Sequence, residues 1–168
     1  LIDATPIGVN VRSTLATYSN VHDDLRRLFA RAPEALEKGF KAGDFSYNTG
    51  RLRCPRCDGT GSISLDVQFL PDVVIDCPAC GGSRYAPQAS GIRLPGGGPS
   101  LPELMDADVS TARSLLQGVR GAKRVCERLA VLEGLGIGYL TLGEDTPGLS
   151  GGEAQRLKLA EEMGRGQS

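Results

Sequence analysis

Four cysteines fall in two pairs, Cys54-Pro55-Arg56-Cys57 and Cys77-Pro78-Ala79-Cys80, with 19 residues between the pairs. Two Cys-x-x-Cys pairs at this spacing supply the four thiolates that tetrahedral zinc takes at about 2.3 Å each. Gly59 and Gly61 follow the first pair, and Gly81 and Gly82 the second. They let the backbone fold back and aim N–H groups at the sulfurs. A closed four-thiolate site keeps no position for water, so one zinc here is structural, not catalytic. A second motif stands near the other end: Leu149-Ser150-Gly151-Gly152-Glu153. Ser150 as N-cap and Glu153 at N3 make a capping box. Two glycines in a first turn disfavour a helix by roughly 1 kcal/mol each against alanine, so such a start serves where the backbone must be bare. A bare helix N-terminus with a serine hydroxyl binds anions, phosphate above all. An ordinary capped helix with a flexible entry is the plainer alternative.

The remaining chemistry is charge. Arg51, Arg53, Arg56 and Arg84 lie in or beside the cysteine pairs and could grip phosphates. They could equally be solvated charges balancing Asp58, Asp66, Asp72 and Asp76. Cys126 falls on the apolar face of a helix and reads as a small core residue. The single histidine, His22, reads as a solvated residue in a first helical turn.

The elements that must carry these residues follow from periodicity. Val21, Leu25, Leu28 and Phe29 repeat at helical spacing behind a Ser19 or Asn20 cap. Pro33 to Gly39 is a second short helix. Ile63, Leu65, Val67 and Phe69 alternate as a half-buried strand, and Val73 to Ile75 is another, so the two knuckles flank a hairpin. Residues 86–100 are a loop in which Ile92 to Leu94 pairs briefly. Asp108 caps a helix with Ala112, Leu115, Leu116 and Val119 on one face. The next helix carries Val125, Cys126, Leu129 and Leu132, and a last one starts at Ser150 with Ala154, Leu157, Ala160 and Met163 inward.

Composition bounds the function. The chain has 168 residues, 40% hydrophobic, and a net charge of −1. That gives room for a packed core but no strong global field for nucleic acid or anionic membrane, so DNA contact needs a local patch. With 5% aromatics and no Trp, a base-stacking platform is not expected. No apolar run is long enough to span a membrane, and the start Leu1-Ile2-Asp3 does not look like a signal peptide. Paired cysteines then read as metal ligands in the cytoplasm.

Leu149 to Glu153 resembles the signature of ABC ATPases, whose common form ends in Gln. The string through Gln155-Arg156-Leu157-Lys158-Leu159-Ala160 narrows the match. So do Phe45-Ser46-Tyr47-Asn48, both cysteine pairs, Phe69-Leu70-Pro71-Asp72-Val73 and Arg84-Tyr85, in that order. Ile2-Asp3-Ala4-Thr5-Pro6-Ile7-Gly8 and Ala16-Thr17-Tyr18 add to it. Together they are similar to the C-terminal nucleotide-binding half of the UvrA family, over nearly the whole chain. The resemblance implies an α+β fold: part of an ABC-type nucleotide-binding domain with a four-cysteine, zinc-stapled β-hairpin module and a helical signature subdomain. Residues 1–42 would follow a missing Walker A region, 43–100 would be the zinc module, and 101–168 the signature subdomain. It implies a dimeric, DNA-binding ATPase of nucleotide excision repair that senses damaged duplex and works with a UvrB-like partner. Leu149, Ser150, Gly151, Gly152 and Glu153 would meet ATP, with its Mg2+, in trans. The zinc module of Cys54, Cys57, Cys77 and Cys80 would support a DNA surface, with Arg12, Arg53, Arg56 and Arg84 on phosphates.

Two departures stand out. The family commonly has Gln where this chain has Ala4, and an Arg-Thr-Pro-Arg-Ser string where it has Val9-Asn10-Val11-Arg12-Ser13. They fit a divergent paralogue, including the UvrA-like proteins of drug self-resistance. No Gly-x-x-x-x-Gly-Lys-Ser/Thr loop and no strand ending in Asp-Glu occurs, so the chain alone is not expected to hydrolyse ATP. The other alternative is a stand-alone zinc-stapled module, since Cys54 to Gly61 also resembles the cysteine repeats of DnaJ-type chaperones.

Overall fold

The structure is a computed structural model, and it describes residues 13–65 and 73–165. Ala4, Arg12, Val67, Phe69 and the Phe69 to Asp72 part of the family string lie outside the described residues.

Helices make the body. A single turn, α1 (Leu15–Tyr18), is closed by a reciprocal Thr14/Thr17 capping box. It leads into α2 (Val21–Ala30), which buries Val21, Leu25, Leu28 and Phe29 on one stripe and places Asp23 and Asp24 in the first turn, where the helix dipole favours acid. Asn20 heads α2 in the left-handed region with no side-chain cap bond. Helix α3 (Pro33–Lys38) starts on proline and stops at Gly39, whose φ of 74° suits glycine. After the zinc-module region come α4 (Leu101–Asp106), α5 (Val109–Leu116) and α6 (Lys123–Gly134). Asp108 caps α5, its Oδ1 accepting the Thr111 N–H at 2.7 Å. Helices α5 and α6 pack on each other, and α6 packs on α2. The last helix, α7 (Gly151–Arg165), covers less than its pattern suggests. Among its described side chains Leu157 and Ala160 alone are buried, Ala154 is exposed, and Met163 and Leu159 stand in solvent.

Strands β1 (Ser62–Leu65) and β2 (Val73–Asp76) pair antiparallel, Ser62 opposite Asp76 and Leu65 opposite Val73. The expected hairpin is present, but Val74 and Ile75 are exposed. Among its described side chains, Ile63 packs on the cysteine quartet and Val73 is half-buried. The chain enters and leaves it through a short antiparallel stem. Cys54 N donates to Arg84 O at 2.9 Å, Ala86 N to Leu52 O at 2.8 Å, and Arg53 bridges Tyr85. The stem brings Leu52 and Tyr85 into one buried apolar cluster that runs from Leu15 to Ala160 and also takes in Phe45, Tyr47, Ile92 and Leu94.

The stem also overturns the expectation for His22. The residue is buried, with a relative exposure of 3%, under the rings of Tyr47 and Tyr85. The Phe45 carbonyl can only accept, so the Tyr85 hydroxyl donates to it at 2.7 Å and His22 Nε2–H donates to Tyr85 Oη at 2.6 Å. Burial, with Arg26 and Arg84 nearby and opposed by Asp23, lowers its pKa to about 3. Its apolar surroundings select the neutral ring.

A pH dependence follows. Between the ordinary value of 6.5 and about 3, the unfolded chain holds a proton on His22 that the folded chain refuses. Stability from this group is therefore full above 6.5 and falls with acidification, by at most about 1.4 kcal/mol per pH unit. Urea unfolding of the wild type and His22→Gln at neutral pH and near pH 5 is expected to show a shallower pH slope in the variant. Equal slopes would mean that His22 is not held neutral.

Candidate functional site

The four cysteine sulfurs converge. All lie within 4.8 Å of one another, with Cys54 Sγ 3.9 Å from Cys77 Sγ and Cys57 Sγ 3.7 Å from Cys80 Sγ. Four sulfurs at zinc–thiolate distance from a tetrahedral centre lie about 3.8 Å apart, so the spacing fits one zinc ion. These separations are far too long for disulfide bonds. Cys54, Cys57 and Cys77 are buried, Cys80 is half-buried, and Ile63 packs against them.

Backbone N–H groups point at the sulfurs: Cys57 and Arg56 at Cys54, Cys80 and Ala79 at Cys77, Arg84 and Gly82 at Cys80, and Gly61 at Cys57 at 3.2 Å. Burial raises the Cys54 thiol and pushes Cys80 up to about 12. At Cys77 burial pushes the same way, but the N–H groups and the Cys80 and Cys54 thiols outweigh it and bring Cys77 to about 7. A dication bound among them would supply the charge that favours four thiolates. Gly59 makes the tight turn possible, because a Cβ there would lie 1.7 Å from Tyr47 O and its φ is +82°.

The second motif also takes the expected local form. Ser150 N donates to Glu153 Oε1 at 3.0 Å, and Glu153 N donates to Ser150 Oγ at 3.2 Å. Tyr139 Oη donates to the other Glu153 oxygen. That hydroxyl and the Ser150 N–H hold the Glu153 carboxyl below its ordinary pKa. Gly151 and Gly152 are exposed, and a Cβ on either would meet nothing within 4 Å. Leu149 packs on the body beneath them. The helix start is a preformed, open cluster of N–H donors at the end of a 15-residue dipole.

The arginines part company. Arg56 is exposed and in no ion pair among the described residues. Arg53 is half-buried, its Nε 2.8 Å from Asp58 and its Nη1 3.0 Å from Gly50 O. Arg84 is buried, bonded to Gly59 O and Asp145, so its guanidinium is turned into the fold and faces no phosphate. Arg84 thus bonds both a carbonyl beside the cysteine quartet and a carboxylate five residues ahead of Ser150. Sequence reading missed Asp145, and also Arg120, Lys123 and Arg124, exposed at the entry to α6. The run Arg120-Gly121-Ala122-Lys123-Arg124 was the available signal for the last three.

No protein-family profile matches the chain. It is 42% identical over 164 residues to UvrABC system protein A of Thermus thermophilus, covering 98% of this chain and 17% of that protein. Against the Bacillus subtilis protein of that name it is 42% identical over 162 residues, covering 96% and 16%. The chain thus spans about one sixth of the length of these curated relatives. Among solved structures, UvrA2 from Deinococcus radiodurans superposes with a TM-score of 0.80 at 37% identity, over 92% of this chain and 18% of that one.

One zinc per chain is the expected metal content. Cys57→Ser is expected to lower it, and Cys126→Ala, at a half-buried position away from the quartet, to leave it unchanged. Elemental analysis of freshly purified protein checks both. A content of zero, or a loss in the Cys126 variant, contradicts the assignment.

Proposed function

The chain belongs to the UvrA family, and on that premise we propose that it works as the signature-bearing part of a longer, dimeric ABC-type ATPase that binds damaged duplex DNA in nucleotide excision repair and passes it to a UvrB-like partner. Ser150, Gly151 and Gly152 address the γ-phosphate of an ATP whose Mg2+ and Walker motifs belong to another unit. The Cys54, Cys57, Cys77 and Cys80 zinc site holds the hairpin rigid beside the DNA.

The observation that carries this reading is the helix start. Ser150 Oγ accepts the Glu153 N–H, and its hydroxyl faces the Glu153 carboxylate, from which it can turn to a phosphate oxygen. The Gly151 and Gly152 N–H groups lie in the first turn, where no carbonyl within the helix can take them. The Glu153 carboxylate, which would repel a phosphate, is drawn aside by Tyr139 and by the Ser150 N–H. Donors fixed before the reaction need no reorganisation as charge develops on the transferring group. Leu149, packed on the body, fixes where they point.

In the full-length protein, Ser150→Ala is expected to cut the kcat for ATP by about 10²-fold or more while ATP still binds, the cost of losing one preorganised donor. Wild-type turnover in that variant overturns the reading. DNA contact is tested separately through half-buried Arg53 and exposed Arg56 of the knuckle. Arg53→Ala and Arg56→Ala are each expected to weaken damaged and undamaged duplex alike and flatten the salt slope by about one unit. Unchanged affinity and slope would place the DNA surface away from the knuckles, with Arg120, Lys123 and Arg124 next in line.

A further inference from the structure

Arg84 is an unusual residue in this fold. It is a bulky side chain in the left-handed region, φ 78°, where few residues other than glycine rest. Its guanidinium is buried, and removing a cation from water is costly unless its donors are met. They are met from two directions. Nη1 donates to Gly59 O at 3.2 Å, Nη2 pairs with the Asp145 carboxylate, and the guanidinium carbon lies 4.8 Å from the centre of the Tyr47 ring. Its main chain is tied to both knuckles, since Arg84 O accepts the Cys54 N–H at 2.9 Å and Arg84 N–H points at the Cys80 sulfur. Arg84 cannot shift without the zinc cluster shifting with it.

Asp145 is tied just as closely to the helix start. It pairs antiparallel with Thr14, and Thr146 N donates to Ser13 O at 3.0 Å. Asp145 then opens a 3₁₀ turn, Thr146–Gly148, closed by Gly148 N to Asp145 O at 3.0 Å and Leu149 N to Thr146 O at 3.2 Å. Ser150 follows directly. A cleft of about 340 Å³, lined by Asp76, Arg84, Asp106, Glu144 and Asp145 among others, opens beside the pair. An apolar side chain would fill the place of Arg84 with less desolvation. Only the guanidinium fork reaches a knuckle carbonyl and a carboxylate of another segment at once.

We propose that the Arg84–Asp145 pair is the joint through which the zinc module sets the position of Ser150, Gly151 and Gly152, so that Arg84 and Asp145 are positioning residues for phosphoryl transfer and relay DNA contact at the module to the ATP site. This rests on the signature reading above. The pair touches neither nucleotide nor DNA. It acts by fixing the 3₁₀ turn that precedes Ser150, and small misplacement of donors is enough to change rate.

The test uses the full-length protein and four variants: Asp145→Asn, Arg84→Gln, the double variant and Ser150→Ala. Zinc content, and kcat and KM for ATP with and without duplex DNA, are measured for each. The two single variants are expected to keep their zinc and a KM within about twofold, to lose about tenfold in kcat, and to lose the change in kcat that DNA produces. The double variant is expected to be no worse than either single one, because one joint is broken once. A structural role alone lowers the amount of folded protein without removing the DNA response. Wild-type kcat and DNA response in the single variants, or losses that multiply in the double variant, overturn the joint. If Arg84→Gln does not fold, Asp145→Asn decides alone, since it preserves shape at a side chain 43% exposed. Ser150→Ala separates the two ideas. An active Ser150→Ala sinks the signature reading, whereas an inactive one beside a normal Asp145→Asn sinks only the joint.

Discussion

The geometry of this chain depends on closing two cysteine knuckles onto a single centre. The hairpin between them cannot hold itself. An isolated two-stranded ribbon is at best marginally stable in water, and Val74 and Ile75 of this one are exposed. Convergence of four sulfurs supplies what the side chains do not, because metal affinity at such a site is also folding free energy. Closure fixes the ends of the segment as well as its middle. Residues 52–54 must meet 84–86, and that stem turns Tyr85 and Arg84 inward together. The cysteine quartet is small, yet it sits at the end of the stem that carries Leu52 and Tyr85 into the common core.

The polar groups brought in by the stem are satisfied in series. His22 donates to Tyr85, Tyr85 donates to Phe45 O, and Tyr47 Oη lies 3.0 Å from Thr14 Oγ1. A chain of this kind strengthens its members in a low dielectric and penalises the loss of any one of them. It joins α2, the approach to the first knuckle and the exit from the second. Stacked and edge-on rings of His22, Tyr47 and Tyr85 fill the space between. The same cluster carries Arg84, so the buried cation is set against a ring face as well as a carboxylate.

Features whose partners are near in sequence were legible from the sequence. The two knuckles, the hairpin, the α5 cap at Asp108 and the Ser150/Glu153 box each need only residues a few positions apart or a recognisable repeat of one short motif, and each is present among the described residues, the hairpin over Ser62–Leu65 and Val73–Asp76. What the sequence did not disclose depends on contacts across long separations. Nothing around His22 signals that a tyrosine 63 positions later takes its Nε2–H. Nothing around Arg84 separates a phosphate-facing arginine from one turned inward, since the outcome is set by Asp145, 61 positions on. Helix α7 shows the opposite error. Its spacing predicts an inward face from Ala154 to Met163, but only Leu157 and Ala160 find an apolar surface to cover. Periodicity states which face can be buried, and the facing element decides how much of it is.

The distribution of charge then bears on how this chain can meet an anion. Acidic and basic side chains nearly cancel, and many of the arginines are engaged within the fold: Arg51 with Asp44, Arg53 with Asp58, Arg84 with Asp145, Arg113 with Glu133, Arg128 with Asp24. Exposed pairs of this kind are weak and salt-sensitive, and a phosphate can displace the carboxylate at little cost. A buried pair cannot be exchanged in that way, because separating it strands a charge away from water. Among the described residues the arginines therefore divide by burial into those open to exchange, such as Arg51 beside Asp44, and those that are not, such as Arg84 and Arg128. Arg84 belongs to the second kind, which makes it useless as a phosphate ligand and well suited to carrying displacement from the knuckles to the turn ahead of Ser150.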